Sequence, residues 1–384
     1  MLTDILEVNQ KTLAELYQFA IASSSNALVF GPAGVGKTLI AMEICNSLGI
    51  KYRYLNLSVL ESPDLVGLPR TESGKTVYAP PEFLPEFDPN EEVNEPMVLL
   101  VDELDKAKDE VESPMLELFQ FRSINGKQFN IQSVIATGNL PDEKAKSRLV
   151  SHALANRCLI YKVRCEFEPW RRWAVSANVN PLVVGFLDKH PEYLLIPNQS
   201  KDPTAYCKPS PRSWSRAARE LDFLQANSEW YESVAMGAPG EDQVSKFAQT
   251  LVAGRVGMQA SVKFKVWVDH YRKYEPMVEE LIYNGKFPDK NLPSEAIIII
   301  AMSAMREFKN RLHTDKTPEE LSNLKQMSAN VFGWLLEPHI SPDYALAAGR
   351  SVFSEQVFKK YDLKNYPNVK ELFHKKVRGA LTNL

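Results

Sequence analysis

The chain has 384 residues, a net charge of -3 and a pI near 6.2. Hydrophobic residues make up 44% and charged residues 24%, the balance of an ordinary globular protein of two or three domains. That charge argues against a protein held mainly by a polyanion, although it leaves room for a local basic lining.

Residues 9–24 read as a helix with Leu13, Leu16, Phe19 and Ala20 at helical spacing. Asn26 ends it, and Ala27-Leu28-Val29-Phe30 is a short buried strand. A glycine loop follows, then a helix over Thr38–Leu48 that Gly49 stops. Tyr52–Leu57 alternates as a strand does. Residues 65–96, rich in Pro, Glu and Asp, form a connection long enough to expect a functional loop. Within it Thr71–Pro80, turning at Ser73-Gly74, fits a hairpin. Its leucines, Tyr78 and the nearby Phe83 either meet a substrate or pack on the core.

Met97–Val101 is a continuous apolar run, as expected of a central parallel strand. Val111–Phe121 is helical, and Asn125-Gly126 marks a hairpin turn. Ser133–Gly138 and Cys158–Val163 are two more strands, separated by a helix over Arg148–Asn156. Strands alternating with helices imply a parallel α/β sheet. Beyond about residue 165 the strand signals fade, and Trp170–Leu187, Arg212–Gln225 and Glu241–Tyr274 read as helices. The expected division is 1–165, 166–272 and 273–384, with the last boundary the softer. Four tryptophans of the middle segment (Trp170, Trp173, Trp214 and Trp267) are expected as packing anchors, and Arg171-Arg172 and Lys263-Phe264-Lys265 on solvated faces.

Cys45, Cys158, Cys165 and Cys207 form no CxxC pair, and the six histidines complete no zinc pattern. Mostly buried, reduced thiols in a cytoplasmic protein are expected. The N-terminal MLTDILEVNQ carries acids where an export signal carries lysines. The most apolar run, Ala296–Met305, is about half a membrane span and is expected to be a core helix or strand.

Gly31-Pro32-Ala33-Gly34-Val35-Gly36-Lys37-Thr38 fits GxxxxGK[ST]. The glycines let backbone N–H groups wrap a phosphate chain, and Lys37 adds a point charge for the β- and γ-phosphates. The Thr38 hydroxyl suits Mg²⁺, and the helix beginning there aims its positive end at the anion. Val98-Leu99-Leu100-Val101-Asp102-Glu103 is an apolar strand ending in two acids. At the carboxyl edge of such a sheet Asp102 would hold the Mg²⁺ shell, and Glu103 would orient and deprotonate a water. ATP with Mg²⁺ is the expected ligand, since no Asn-Lys-x-Asp guanine code is present. The next strand, Val134-Ile135-Ala136-Thr137-Gly138, ends at Asn139, whose amide either helps position the attacking water or forms a turn.

With these pieces in order, the chain resembles a MoxR-type AAA+ ATPase of the branch related to midasin and the chelatase and activase ATPases. The resemblance rests on GPAGVGKT, Glu61–Gly67, Val101–Gln120, Ala136–Asn139, Ser151–Arg157 and Ser210–Trp214, and runs from about residue 25 to 272. It implies a P-loop NTPase parallel sheet, the AAA+ core, with an α-helical lid over 166–272 and a helical C-terminal extension. It assigns Asn139 to the first sensor and Arg157 to the finger inserted into a neighbour's site. Cys158 departs from the usual RF pair, and Arg148 is a weaker finger candidate. Arg212 matches the second sensor, with Arg216 as its fallback. The resemblance further implies a homo-oligomeric ring, typically a hexamer, and a protein client or adaptor bearing a von Willebrand factor A domain. A nucleic-acid machine of clamp-loader or restriction-motor type is the alternative, and a metabolite kinase is disfavoured by Glu103 and the two arginines.

Overall fold

The computed structural model describes residues 5–79, 81–85, 95–139, 151–196, 206–227, 242–312, 317–344 and 365–372. The chain divides into two compact units, Met1–Glu166 and Phe167–Leu384.

The strands of the first unit are β1 (Glu7–Val8), β2 (Ala27–Phe30), β3 (Tyr52–Asn56), β4 (Leu68–Glu72), β5 (Lys75–Ala79), β6 (Met97–Asp102), β7 (Ser123–Ile124), β8 (Lys127–Gln128), β9 (Ile131–Gly138) and β10 (Leu159–Val163). Six of them form one sheet in the order β1-β10-β2-β9-β6-β3, with every pairing parallel. The helices are α1 (Gln10–Ala22), α2 (Lys37–Leu48), α3 (Ser62–Val66), α4 (Asp109–Phe121) and α5 (His152–Ala155). Successive residues of β6 serve opposite faces of the sheet. Val98 and Leu100 join a core with Leu13, Tyr17, Ala41 and Cys45 from α1 and α2. Leu99 and Val101 join another with Val111, Met115, Leu118 and Phe119 from α4. This is the P-loop α/β core that the strand and helix alternation predicts. At the carboxyl ends of β3 and β6 stand the polar residues Asn56 and Asp102, and Asn139 follows β9.

Helix α1 starts where the Asn9 side chain accepts from the Thr12 N–H at 3.0 Å. Its buried stripe is Leu13, Tyr17, Ala20 and Ile21, rather than the expected set with Leu16 and Phe19. Leu16 is only partly buried and Phe19 is 61% exposed, because the helix turns the i, i+4 pair Tyr17 and Ile21 inward together with Leu13 and Ala20. Both hairpins have the twist-matched turn in which two successive residues take positive φ: Ser73-Gly74 joins β4 to β5, and Asn125-Gly126 joins β7 to β8. Phe83 and Leu84 pack on the α4 core, whereas Leu68 and Tyr78 on the first hairpin stay exposed. The helix expected over Arg148–Asn156 is seen as α5 alone, and Arg148 lies outside the described residues.

In the second unit the helices are α6 (Phe167–Ser176), α7 (Pro181–Lys189), α8 (Pro211–Ala226), α9 (Asp242–Val256), α10 (Met258–Tyr271), α11 (Glu275–Asn284), α12 (Ser294–Leu312), α13 (Pro318–Leu335) and α14 (Val369–Leu372). Two helices predicted as continuous are broken. Asn178 takes φ 55° and Asn180 caps α7 ahead of Pro181, while Gly257, at φ 86°, separates α9 from α10. The apolar run 296–305 lies within α12 as a core helix. An aromatic cluster of Phe186, Trp214, Phe264 and Trp267 anchors the packing, with the Trp214 indole N–H donating to the Tyr193 carbonyl at 2.7 Å.

Arg171 is not on a solvated face. It is 9% exposed and bonds Glu168 and Asp343. Of the cysteines, Cys45 is buried, Cys158 and Cys165 are half-buried, and Cys207 is exposed, which corrects the expectation of mostly buried thiols. Burial pushes Cys45 up to about 11 and Cys158 and Cys165 up to about 12, so these three stay protonated thiols at neutral pH. Among the described residues no helix is long and apolar enough to cross a membrane.

Candidate nucleotide site

The site is built from the loop after β2 and from the carboxyl tips of β3, β6 and β9. Strands β2, β9, β6 and β3 lie side by side in the sheet; β6 ends in Asp102, β3 ends in Asn56, and Asn139 follows the last residue of β9. Gly36 caps α2 at φ 106°, a conformation open to glycine and costly to any residue with a Cβ. The turn starts the helix directly at Lys37, so the unpaired N–H groups of its first turn face the loop.

Lys37 is 8% exposed and its ammonium is folded into the loop. Its Nζ donates to the carbonyls of Gly31 at 2.8 Å and Pro32 at 3.1 Å, and to Oδ1 of Asn139 at 3.3 Å. The Thr38 hydroxyl donates to Oδ2 of Asp102 at 3.1 Å. On the same carboxylate, Thr137 donates to Oδ1 at 2.5 Å and Tyr54 to Oδ2 at 3.3 Å. The loop, the acid strand and the amide strand therefore meet through Lys37, Thr38, Asp102 and Asn139. A hydroxyl and a carboxylate oxygen are the donor chemistry a hard divalent cation takes, so Thr38 and Asp102 fit Mg²⁺.

Glu103 leaves the strand in the left-handed region, at φ 57°. For a residue with a side chain that costs about 1–2 kcal/mol, and it turns Glu103 away from the line of Asp102. Its Oε1 accepts from Lys106 Nζ at 2.8 Å. The Lys106 bond, followed by hydrogen bonds with Ser58 and Asn56, holds the carboxyl below its usual range, and Lys106 is raised in turn. Glu103 is thus ionised throughout the neutral range.

Several of these residues escaped the sequence reading. Asn56 ends β3 in register with Asp102 at the end of β6, but Arg53 interrupts the apolar run of β3, so the pattern that exposed Asp102 is hidden there. Thr137 lies inside a strand and Lys106 one turn beyond the acids. Only the fold brings them to the carboxylates.

Arg157 is not brought to this site. It stands just before β10, and Asn26, just before β2, donates to its carbonyl at 3.1 Å. Arg157 therefore lies at the amino edge of the sheet, with the phosphate loop at the carboxyl edge. The four residues of β2 between them span about 13 Å at 3.3 Å each. The guanidinium is held by Gln120 Oε1, at 2.8 Å from Nε, and by the Ala153 carbonyl. Arg212 is an exposed residue in the first turn of α8, in the second unit, and Arg216 lies exposed one turn later.

Residues 27–158 match the family model described as the ATPase family associated with various cellular activities, AAA. The matched span begins with β2 and ends just before β10, so it contains every residue that meets at the strand tips. Residues 27–158 form an AAA ATPase domain. A curated relative is also similar: over 131 residues the chain is 30% identical to the Holliday junction branch migration complex subunit RuvB of Prochlorococcus marinus. That match covers 31% of this chain and 31% of the relative, so the chain spans about a third of the relative's length. Among solved structures, a RuvB point mutant from Thermotoga maritima is similar at a TM-score of 0.34 and 16% identity, over 74% of this chain and 81% of that one. NtrX from Brucella abortus in complex with ADP is similar at 0.32 and 12%, over 96% and 67%.

Proposed function

We propose that the chain hydrolyses ATP in a homo-oligomeric ring, with its AAA domain supplying one side of each catalytic site and the neighbouring subunit the other. The observation that carries this reading is the meeting of Lys37, Thr38, Asp102 and Asn139 at adjacent strand tips. Lys37, with the N–H groups of the loop, grips the phosphate chain of ATP. Thr38 and Asp102 hold Mg²⁺, which when bound supplies a Lewis acid that neutralises charge on the phosphoryl oxygens. Glu103, ionised at neutral pH, takes a proton from the attacking water as the water's oxygen bonds to the γ-phosphorus and the bridging bond to ADP breaks. Asn139 aligns that water. Arg157, at the opposite sheet edge, reaches a γ-phosphate only across a subunit boundary, which supports ring assembly as the condition for turnover. Arg212 serves as the second sensor from the helical unit.

On the MoxR-type resemblance, the ring, expected as a hexamer, remodels or activates a protein client, with a von Willebrand factor A domain as the expected adaptor. One observation favours a second reading. The relative that is 30% identical over 131 residues is by its name a Holliday junction branch migration subunit, so a nucleic-acid-directed ATPase is the alternative.

The test uses a Glu103→Gln variant. It is expected to bind ATP, to release phosphate about 10² to 10⁴ times more slowly than wild type, and to accumulate as assembled rings. A pull-down in ATP and Mg²⁺ then captures the client. Recovery of a defined protein supports the first reading. Recovery of nucleic acid, with turnover stimulated by DNA and falling steeply as salt rises, supports the second. Wild-type turnover in Glu103→Gln, or no Mg²⁺-dependent phosphate release from the native chain at assembling concentrations, defeats the proposal.

A further inference from the structure

Asp105 sits at the centre of the short 3-10 turn Leu104–Lys106 that follows the two acids of β6. It is 1% exposed, among the most deeply buried charged residues described. Burying a carboxylate is costly, and such a group persists only where its bonds repay the desolvation. Its Oδ1 accepts the backbone N–H of Asn139 at 2.9 Å, while its Oδ2 has no hydrogen-bond partner among the described residues. The first bond matters because of where Asn139 stands. Strand β9 ends at Gly138, so no sheet ladder continues to fix the next residue, and the amide of Asn139 must still reach Lys37 Nζ at 3.3 Å. The last strand residue is packed hard against the same oxygen. A Cβ on Gly138 would stand 3.1 Å from Asp105 Oδ1 and 3.4 Å from the Phe30 ring, so a side chain at position 138 would press on the carboxylate and make it give by a few tenths of an ångström.

We propose that Asp105 is the positioning residue for Asn139: it clamps the main chain where β9 ends and so sets the direction of the Asn139 amide beside Lys37. This rests on the reading of Asn139 as part of the hydrolytic site. Among the described residues the Asp105 side chain has its hydrogen bond with the Asn139 N–H and none with Thr38 or Asp102. It acts on turnover through the aim of another side chain, and nucleotide affinity, carried by the loop and Lys37, is untouched by it.

A double-mutant cycle on the full chain separates this from a purely structural role. Steady-state phosphate release gives kcat and KM, and a fluorescent ADP analogue gives affinity. Asp105→Ala and Asn139→Ala are each expected to lower kcat by about 10- to 100-fold, the scale of an ångström-sized misplacement in a catalytic site, with ADP affinity changed less than about twofold. The double variant is expected to be no slower than Asn139→Ala alone. Asp105→Asn, which keeps an acceptor oxygen, is expected to recover most of the rate. Gly138→Ala, which presses on the same contact from the other side, is expected to imitate Asp105→Ala and serves should that variant fail to fold. Additive losses in the double variant, or parallel losses of affinity and kcat, would overturn the assignment of Asp105 to Asn139. Normal turnover in Asn139→Ala would instead overturn the hydrolytic role of Asn139, and the assignment of Asp105 with it.

Discussion

Both units bury polar side chains, but they use them differently. In the AAA domain Lys37, Thr38, Asp102, Asp105, Thr137 and Asn139, from three segments far apart in sequence, gather at one edge of one sheet. In the second unit each of the buried polar groups named here ties one chain segment to another. Arg171 joins α6 to Asp343, Asn180 joins the start of α7 to Asp222 on α8, and Asn330 on α13 donates to the Ile282 carbonyl on α11. The first pattern is aimed past the strand ends and the second is closed on itself. Polar groups gathered at strand ends behind a phosphate loop, rather than buried polar groups in general, are what mark the candidate site.

That contrast can be broken experimentally. The largest effect is expected at Lys37: Lys37→Ala should lose nucleotide binding at concentrations that saturate the wild type, read by titration with fluorescent ADP. Retained affinity would mean the loop does not grip phosphate. Next comes Arg157, the polar residue of this domain that stands apart from the cluster. Arg157→Ala should bind ATP normally yet turn over about 10³ times more slowly or worse. Mixing it with the Lys37→Ala variant should restore some activity at hybrid interfaces, whereas normal hydrolysis by an isolated Arg157→Ala monomer would refute the shared site.

A smaller effect is expected from Lys106→Met. Lys106 holds the Glu103 carboxyl low, so the interaction is fully present above the ordinary carboxylate range and is lost as pH falls through the lowered value. Without the lysine the Glu103 pKa rises, and the acid limb of the kcat profile should move to higher pH. An unmoved limb would show that Glu103 is not the titrating base. The smallest effect on the site belongs to the second unit. Asn180→Ala removes an N-cap and a bond to Asp222, and should lower the stability of that unit by about 1–3 kcal/mol in denaturant melts. The affinity of the AAA domain for ADP should not change. A matching loss of ADP affinity would erase the distinction between the two patterns.

Much of the first unit is legible before any coordinates. Its strands are short apolar runs bounded by glycine, asparagine or acids, and the phosphate loop has a spacing few other structures need. Asp102, Glu103 and Asn139 were visible because each follows an unbroken apolar strand. Asn56 obeys the same rule, but the alternating pattern of Tyr52–Asn56 disguises it. Lys106, Asp105 and Gln120 carry no local signal, since their importance is a distance across the fold. In the second unit, helical periodicity gave the helices but not their breaks. Asn178 in a left-handed turn looks like any surface asparagine, and Arg171 reads as a surface charge until Asp343, far along the chain, comes to meet it.

The hairpin of β4 and β5 has a consequence for engineering. A side chain at Gly67 would put its first carbon 1.8 Å from the Ala79 carbonyl oxygen, so the two legs are joined at the root as closely as main chains can be. Beyond that root every residue of β4 is exposed, and the Ser73-Gly74 tip borders open solvent. The root leaves no room for a side chain, whereas the tip has room but holds Ser73 and Gly74 at positive φ. A small label on the exposed Ser73 side chain would therefore ride on a hairpin that is not hydrogen-bonded to the six-stranded sheet of the candidate site.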